Sequence, residues 1–188
     1  MRPHMGVEKT ALVFLEAHGA TAIEHPGGTL LAHLCRTADL LASWGASPAL
    51  TVAGLCHAAY GTDGFPTALL PTSRRGDLVE VIGLTAEAIV YFYASCDRGM
   101  FLPQLGRHEP PRFHDRFTQA EFHPESEMVR QFVELTFANE LDIAAHSPPF
   151  AQTHGLSLVE LFGRCRALAS DAANAAADRL PVLWRQPD

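Results

Sequence analysis

Three histidines fall within a stretch of 33 residues whose apolar spacing predicts helices. His33 lies in the segment TLLAHLCRTADLLASWG, and His57 ends the apolar run of SPALTVAGLCHAAYG. Residues three and four apart share one helix face, so His33 stands beside the apolar stripe of its helix and His57 lines up with that of the next. His25 precedes the first of these helices by less than a turn. We therefore predict that these three imidazoles face one hollow between neighbouring helices.

A histidine trio of this kind supports two chemistries and one purely structural role. Neutral imidazoles bind zinc, iron or copper, and such an ion can activate a water molecule for hydrolysis. Without a metal, a partly buried imidazole titrates near neutrality and suits general acid–base catalysis by an isomerase, lyase or cyclase. In the structural alternative, each imidazole bonds a backbone carbonyl, because buried polar groups need hydrogen-bond partners.

The turn after His57, with the sequence YGTDGF, contributes candidate catalytic groups at the mouth of this hollow. Tyr60 and Thr62 can donate hydrogen bonds to a developing oxyanion, and Asp63 or Tyr60 can transfer a proton. In the metal-free alternative His57 itself is the acid or base. The glycines of the turn permit positive φ angles, so the same residues can equally form a tight turn without a chemical role.

The order of these residues resembles the HD-domain superfamily, whose motif is a histidine, a His-Asp pair at a helix end and a distant aspartate. His33, the helix that ends in AGLCHA and the later segment LTFANELD follow this order between residues 25 and 146. The HxxYGT segment is similar to an uncharacterised HD-like branch in which a small residue follows the histidine. The resemblance implies a helical metal-dependent phosphohydrolase, or one of the related diiron oxygenases, with His33 and His57 as metal ligands.

Two departures from the HD motif bear on metal binding. Ala58 stands where the resemblance places the paired aspartate, and Asn139 stands where it places the last one. Asp142 lies on the same helix face as Asn139 and can substitute for it. A site poor in carboxylates binds magnesium weakly but still suits transition metals that prefer imidazole. The predicted metal ligands are His25, His33, His57, Asn139 and Asp142.

The leading functional hypothesis is therefore metal-dependent hydrolysis of a small molecule at a histidine-rich site, with zinc, iron or copper as the ion. Two alternatives stay open. One is a metal-free histidine acid–base enzyme, and the other is a non-catalytic module that binds a metabolite or nucleotide.

The composition predicts a globular protein and limits its partners. The chain has 188 residues, is 47% hydrophobic and carries a formal net charge of −7. This balance disfavours nucleic acids and anionic membranes, although a few arginines can hold a small anionic molecule. No run reaches the roughly 18 apolar residues of a membrane span, and the N-terminus lacks the pattern of a signal peptide. We expect a cytoplasmic protein with a small-molecule substrate and neither nucleic acid nor membrane as partner.

Helical spacing extends along nearly the whole chain and predicts a single all-α domain over residues 1–188, with six or seven helices. The resemblance implies that this domain is HD-like. Thr29 and Ser47 are expected to cap the two helices that carry the histidines. The last helix is expected to run from residue 157 to residue 180. Residues 99–124 are predicted to form a long loop with at most one helical turn, and loops of that length are often functional.

Two segments have alternative interpretations. The loop sequence RHEPPRFHDRF is either solvated or a lid in which Arg107, Arg112 and Arg116 contact an anionic ligand. The segment VYFYASC, which contains Tyr91 and Tyr93, either packs in the core or walls an apolar pocket.

Overall fold

The computed structural model describes residues 4–180 and consists mostly of α-helices, with two small antiparallel sheets. The helices of this described part are α1 (His4–Ala17), α2 (Leu30–Ser43), α3 (Pro48–Cys56), α4 (Arg75–Ile82), α5 (Leu84–Ser95), α6 (Arg98–Phe101), α7 (Ser126–His146), α8 (Pro148–Cys165) and α9 (Asp171–Ala177). Short 3₁₀ turns lie at Thr72–Arg74 and Arg166–Leu168. The strands are β1 (Glu24–His25), β2 (Gly28–Thr29), β3 (Phe113–His114) and β4 (Glu121–Phe122), paired as β1–β2 and β3–β4.

The predicted caps of the histidine-bearing helices are confirmed. The Thr29 side chain accepts a hydrogen bond from the backbone N–H of Ala32, and the Ser47 side chain accepts one from Leu50. Each cap satisfies a backbone donor that has no partner within its helix. Helix α3 ends at Cys56, so that His57 is the first residue beyond its regular turns.

The C-terminal helices differ from the prediction. Ser147 caps α8, and two prolines occupy its first turn, where a missing backbone N–H costs nothing. The SPPF segment therefore starts a helix as well as ending one. The expected single helix is divided before α9, because the backbone N–H and the hydroxyl of Ser170 both bond Glu134 of α7, at 2.9 and 2.5 Å.

The segment 99–124 contains more regular structure than a loop with one helical turn. It includes most of α6 and the β3–β4 hairpin. The turn of this hairpin is held by Asp115, whose carboxylate accepts the backbone N–H groups of Phe117 and Thr118. Helix α6 and the separate α9 raise the helix number of the described part to nine, and the two hairpins depart from an all-α fold.

Helices α2, α3 and α7 form the centre of the fold. Gly54 of α3 lies directly against α2, and a Cβ atom built on it would clash with the Leu41 side chain and lie 3.7 Å from Cα of Ala38. The absence of a side chain at Gly54 therefore permits the close approach of α2 and α3. Helix α7 is buried along most of its length, including Asn139 and Asp142.

Across residues 4–180, no helix is both long enough and apolar enough to cross a bilayer. The four cysteines are free thiols, of which Cys56, Cys96 and Cys165 are buried.

We predict that Gly54→Leu lowers the free energy of unfolding by about 3 kcal/mol, because the added side chain overpacks the α2–α3 contact. Gly163→Leu is the matched control, since Gly163 is an exposed helical glycine with nothing within 4 Å of a built Cβ. The control should be neutral or stabilising by up to about 1 kcal/mol. Urea denaturation measures both, and equal stability of the two variants would contradict the close packing.

Candidate functional site

The structure brings the three predicted histidines into contact. The rings of His25 and His33 are stacked, with centroids 4.1 Å apart and planes 23° apart. The ring of His57 meets that of His33 edge-on, at 5.2 Å and 81°. His33 comes from α2, His57 from the end of α3, and His25 from the β1–β2 hairpin that precedes α2. The sequence therefore predicted the composition of this cluster correctly.

His33 joins α2 to α7 through both of its ring nitrogens. Its Nδ1 lies 2.6 Å from Oδ2 of Asp142, and its Nε2 lies 3.1 Å from Oδ1 of Asn139. The side chain is only 1% exposed. Asp142 also accepts two hydrogen bonds from Arg36, from Nε at 2.6 Å and from Nη2 at 3.0 Å.

The hydrogen-bond partners of His33 determine where its protons lie. Asn139 donates from Nδ2 to a carboxylate oxygen of Glu140 at 3.1 Å, so its oxygen must face His33. An amide oxygen and a carboxylate oxygen can only accept hydrogen bonds. Both ring nitrogens of His33 must therefore donate, and the ring is an imidazolium cation paired with the Asp142 carboxylate.

The neighbouring histidines are neutral. Burial lowers the pKa of His57 to about 3, and the positive charge of His33 contributes to this shift. The same two causes lower the pKa of His25 to about 4. His57 Nδ1 donates to the backbone carbonyl of Gly54 at 2.7 Å, so the lone pair of the neutral ring is on Nε2. The cluster is thus one cation between two neutral imidazoles.

The cation is balanced by Asp142. Burial alone would raise the pKa of this carboxyl group, but hydrogen bonds from His33 and Arg36 outweigh burial and hold the pKa below its usual value. Asp142 therefore remains ionised between two positive groups.

The cluster does not fit a metal ion in this arrangement. An ion must lie in the plane of each imidazole that binds it, about 2.0–2.1 Å from the nitrogen, and two nearly parallel stacked rings cannot both meet this condition. His33 has no lone pair to offer, because both nitrogens carry protons. Among residues 4–180, no group of three or more His, Cys, Asp and Glu side chains is arranged to hold a metal. Metal binding by the five predicted ligands stays a prediction that this geometry does not support.

The predicted catalytic residues of the turn are occupied elsewhere. Tyr60 donates its hydroxyl hydrogen to the buried carboxylate of Glu87 at 2.9 Å, and burial together with this contact raises its pKa. The Thr62 hydroxyl accepts the backbone N–H of Phe65 within the tight turn. The exposed Asp63 accepts the backbone N–H of Arg98. The structure therefore does not bring these three groups to the histidines. It agrees better with the alternative in which the segment forms a tight turn without a chemical role.

A cleft of about 400 Å³ lies on the other side of α7, between α6, α7 and α8. Arg98 and Glu140 line it, and Arg98 Nη1 donates to Glu140 Oε1 at 3.1 Å. Since Glu140 also accepts from Asn139, a continuous hydrogen-bonded chain leads from the histidine cluster to the wall of the cleft. Of the arginines predicted to form a lid, Arg107 lines this cleft, whereas Arg112 pairs with Glu121 and Arg116 bonds the Ala94 carbonyl.

A second cleft, of about 540 Å³, lies at the opposite end of this chain of hydrogen bonds. Arg36 and Asp142 line it, together with mostly apolar residues of α2, α7 and α9.

Sequence reasoning missed Arg36, Arg98 and Glu140. The sequence does contain a signal for Arg36, because this residue lies one helical turn after His33 and so shares its helix face. Glu140 directly follows the predicted Asn139. Arg98 is in a segment with no periodicity, and nothing in the sequence relates it to α7.

A family model described as a domain of unknown function, DUF6817, matches residues 14–98. The matched range includes the three clustered histidines and the HxxYGT segment, but it ends before α7. No curated protein and no solved structure matches the chain.

We predict that His57 makes the free energy of unfolding depend on pH. Below pH 6.5 the unfolded chain protonates this residue, whereas the folded chain does so only near pH 3. The unfolded state then binds more protons, so stability falls as pH falls, by about 1.4 kcal/mol per pH unit between these values. Denaturant titrations from pH 7 to pH 4 should show that the His57→Gln variant lacks this part of the pH dependence of the free energy of unfolding.

Thr37→Val is the control for this prediction, since Thr37 is a buried α2 residue without a titratable side chain. Thr37→Val should change the free energy of unfolding by a similar amount at every pH and leave its slope against pH unchanged. An unchanged slope in His57→Gln would mean that the His57 pKa is not depressed by folding.

Proposed function

We propose that this chain is an HD-like helical domain in which a buried ion pair takes the place of the metal centre. His33 on α2, His57 after α3 and Asn139 with Asp142 on α7 follow the order of the HD motif. The positions that would hold an ion instead form the contact between His33, Asp142 and Arg36. This arrangement supports the binding-module alternative over metal-dependent hydrolysis.

The same arrangement argues against acid–base catalysis by these histidines. A general acid or base must reach the substrate within hydrogen-bonding distance, directly or through one water. His33 and His57 are 1% and 2% exposed, and both nitrogens of His33 are bonded within the protein. Their role in the proposed function is to hold α2, α3 and α7 together behind the cleft.

The proposed activity is binding of a small organic anion in the cleft between α6, α7 and α8. The main support for this proposal is the composition of the cleft walls. Its apolar lining residues are Leu102, Pro103, Phe150, Leu158 and Leu161. Its charged lining residues are Arg98, Arg107, Arg164, Glu140 and Glu160, with His154 beside them. Three guanidinium groups against two carboxylates leave one net positive charge, which suits an anion with a single charge.

The size of the cleft agrees with a small ligand. Its volume of about 400 Å³ lies within the range of about 300–1,000 Å³ that small-molecule sites occupy. Apolar walls with a few convergent polar groups are also typical of such sites, because burial gives affinity and the polar groups fix orientation.

We predict that the protein binds 4-phenylbutyrate, a probe with an apolar body and one carboxylate, with a Kd of about 1 mM or lower. Ser157→Trp should weaken binding about tenfold or more, because Ser157 lines the cleft and the indole would fill it. Gln152→Trp is the matched control, since Gln152 is exposed on the same helix and does not line the cleft. Isothermal titration calorimetry measures all three Kd values.

Binding that both tryptophan variants leave unchanged would place the probe elsewhere and refute the proposed site. A wild-type protein with no measurable affinity for the probe would refute the proposed ligand class.

A further inference from the structure

The three arginines that line the cleft are balanced by carboxylates in different ways. Arg98 pairs with Glu140, a buried residue of α7. Arg107 and Arg164 both pair with one carboxylate, that of Glu160 on α8, whose side chain is 62% exposed. The positive charge that remains in the cleft therefore lies at Arg107 and Arg164.

Arg164 is held in place by the backbone that follows α6. Its Nη2 donates to the carbonyl of Leu102 at 3.0 Å, and its Nε donates to the carbonyl of Leu105 at 3.4 Å. Gly106 lies directly against α8 at this point, because a Cβ atom built on it would clash with the backbone of Arg164. The two carbonyls are neutral, so they orient the guanidinium group without balancing its charge.

Glu160 contacts both guanidinium groups through one oxygen. Its Oε1 accepts a hydrogen bond from Nη2 of Arg107 at 2.8 Å and another from Nη1 of Arg164 at 3.2 Å. An exposed ion pair adds little stability, because solvent screens the attraction and the side chains lose conformational freedom. The Glu160 side chain can therefore rotate into solvent at low cost, and two guanidinium groups then face the cleft.

We infer that Arg107 and Arg164 form the subsite for the carboxylate of the organic anion, and that Glu160 occupies this subsite when no ligand is bound. The ligand carboxylate replaces that of Glu160 and accepts hydrogen bonds from the same two guanidinium groups. The apolar body of the ligand lies against Leu158 and Leu161, which line the cleft on the same helix. This inference rests on the proposed function and adds the head group, the residues that bind it and an internal competitor.

The identity of the competitor indicates the head group. A ligand carboxylate has the same charge and the same planar shape as the group that it replaces, and its two oxygens match the N–H donors of a guanidinium group. A neutral ligand would have to displace Glu160 without supplying a charge in return. The internal competitor therefore makes the cleft selective for anions.

The first experiment removes the charge of the competitor. Glu160→Gln should raise the affinity for 4-phenylbutyrate about fivefold, because the ligand no longer displaces a charged group. Glu121→Gln is the matched control, since it changes the net charge equally and Glu121 forms an exposed ion pair with Arg112 away from the cleft. This control should bind the probe as the wild type does. Isothermal titration calorimetry measures each Kd, and an affinity that Glu160→Gln leaves unchanged or lowers would overturn the inference.

The second experiment removes one guanidinium group and compares 4-phenylbutyrate with its neutral amide. Arg107→Gln should lower the affinity for the carboxylate about fivefold and leave that for the amide unchanged, because only the carboxylate uses the charge. Arg112→Gln is the matched control, since Arg112 is equally charged and exposed but pairs with Glu121. It should bind both probes as the wild type does. An equal loss of affinity for carboxylate and amide in Arg107→Gln would contradict a head-group role.

The results separate this inference from the proposed function. If Ser157→Trp blocks 4-phenylbutyrate while Glu160→Gln and Arg107→Gln bind it as the wild type does, the cleft is a ligand site and the head-group subsite is wrong. An equal gain of affinity in Glu160→Gln and Glu121→Gln would show an effect of net charge alone and would also overturn the subsite. If Ser157→Trp has no effect, both proposals fail together.

Discussion

The buried contact between His33, Asp142 and Arg36 is the interaction on which the rest of this structure depends. It places a carboxylate on α7 between two positive groups of α2, and all three are within 3.0 Å of a partner. A buried charge is tolerated only when it is paired and hydrogen-bonded, and removal of one partner of a buried pair costs about 3–5 kcal/mol. The relative position of α2 and α7 is therefore fixed by electrostatics as well as by apolar packing.

The ion pair also relates the histidine cluster to the cleft. Asn139 and Asp142 lie one turn apart on α7 and bond the two nitrogens of the same imidazole. The next residue after Asn139, Glu140, turns toward Arg98 and the cleft. One helix thus presents a sealed polar cluster on one side and a ligand-sized cavity on another. In the proposed function, the ligand-binding surface is this cavity and not the histidine cluster.

Parts of this organisation could be predicted from the sequence because they depend on local rules. The caps at Thr29 and Ser47 and the meeting of His33 with His57 follow from helix geometry and residue type. The partners of Tyr60 could not be predicted, because Glu87 is 27 residues away and nothing local indicates the pairing. The division before α9 could not be predicted for the same reason, since it depends on a contact between the distant residues Ser170 and Glu134. The metal prediction followed residue types correctly but could not include ring orientation, which decides whether an imidazole lone pair is available.

The protonation state of His33 tests the central claim most directly. Nitrogen-15 NMR of histidine-labelled protein at neutral pH reports the two ring nitrogens of each residue separately, with His33→Gln to assign its signals. The buried ion pair predicts two protonated nitrogens on His33, one protonated and one bare nitrogen on His57, and no change when zinc is added. A bare nitrogen on His33 that shifts on addition of one equivalent of zinc would contradict the ion pair and restore the metal centre.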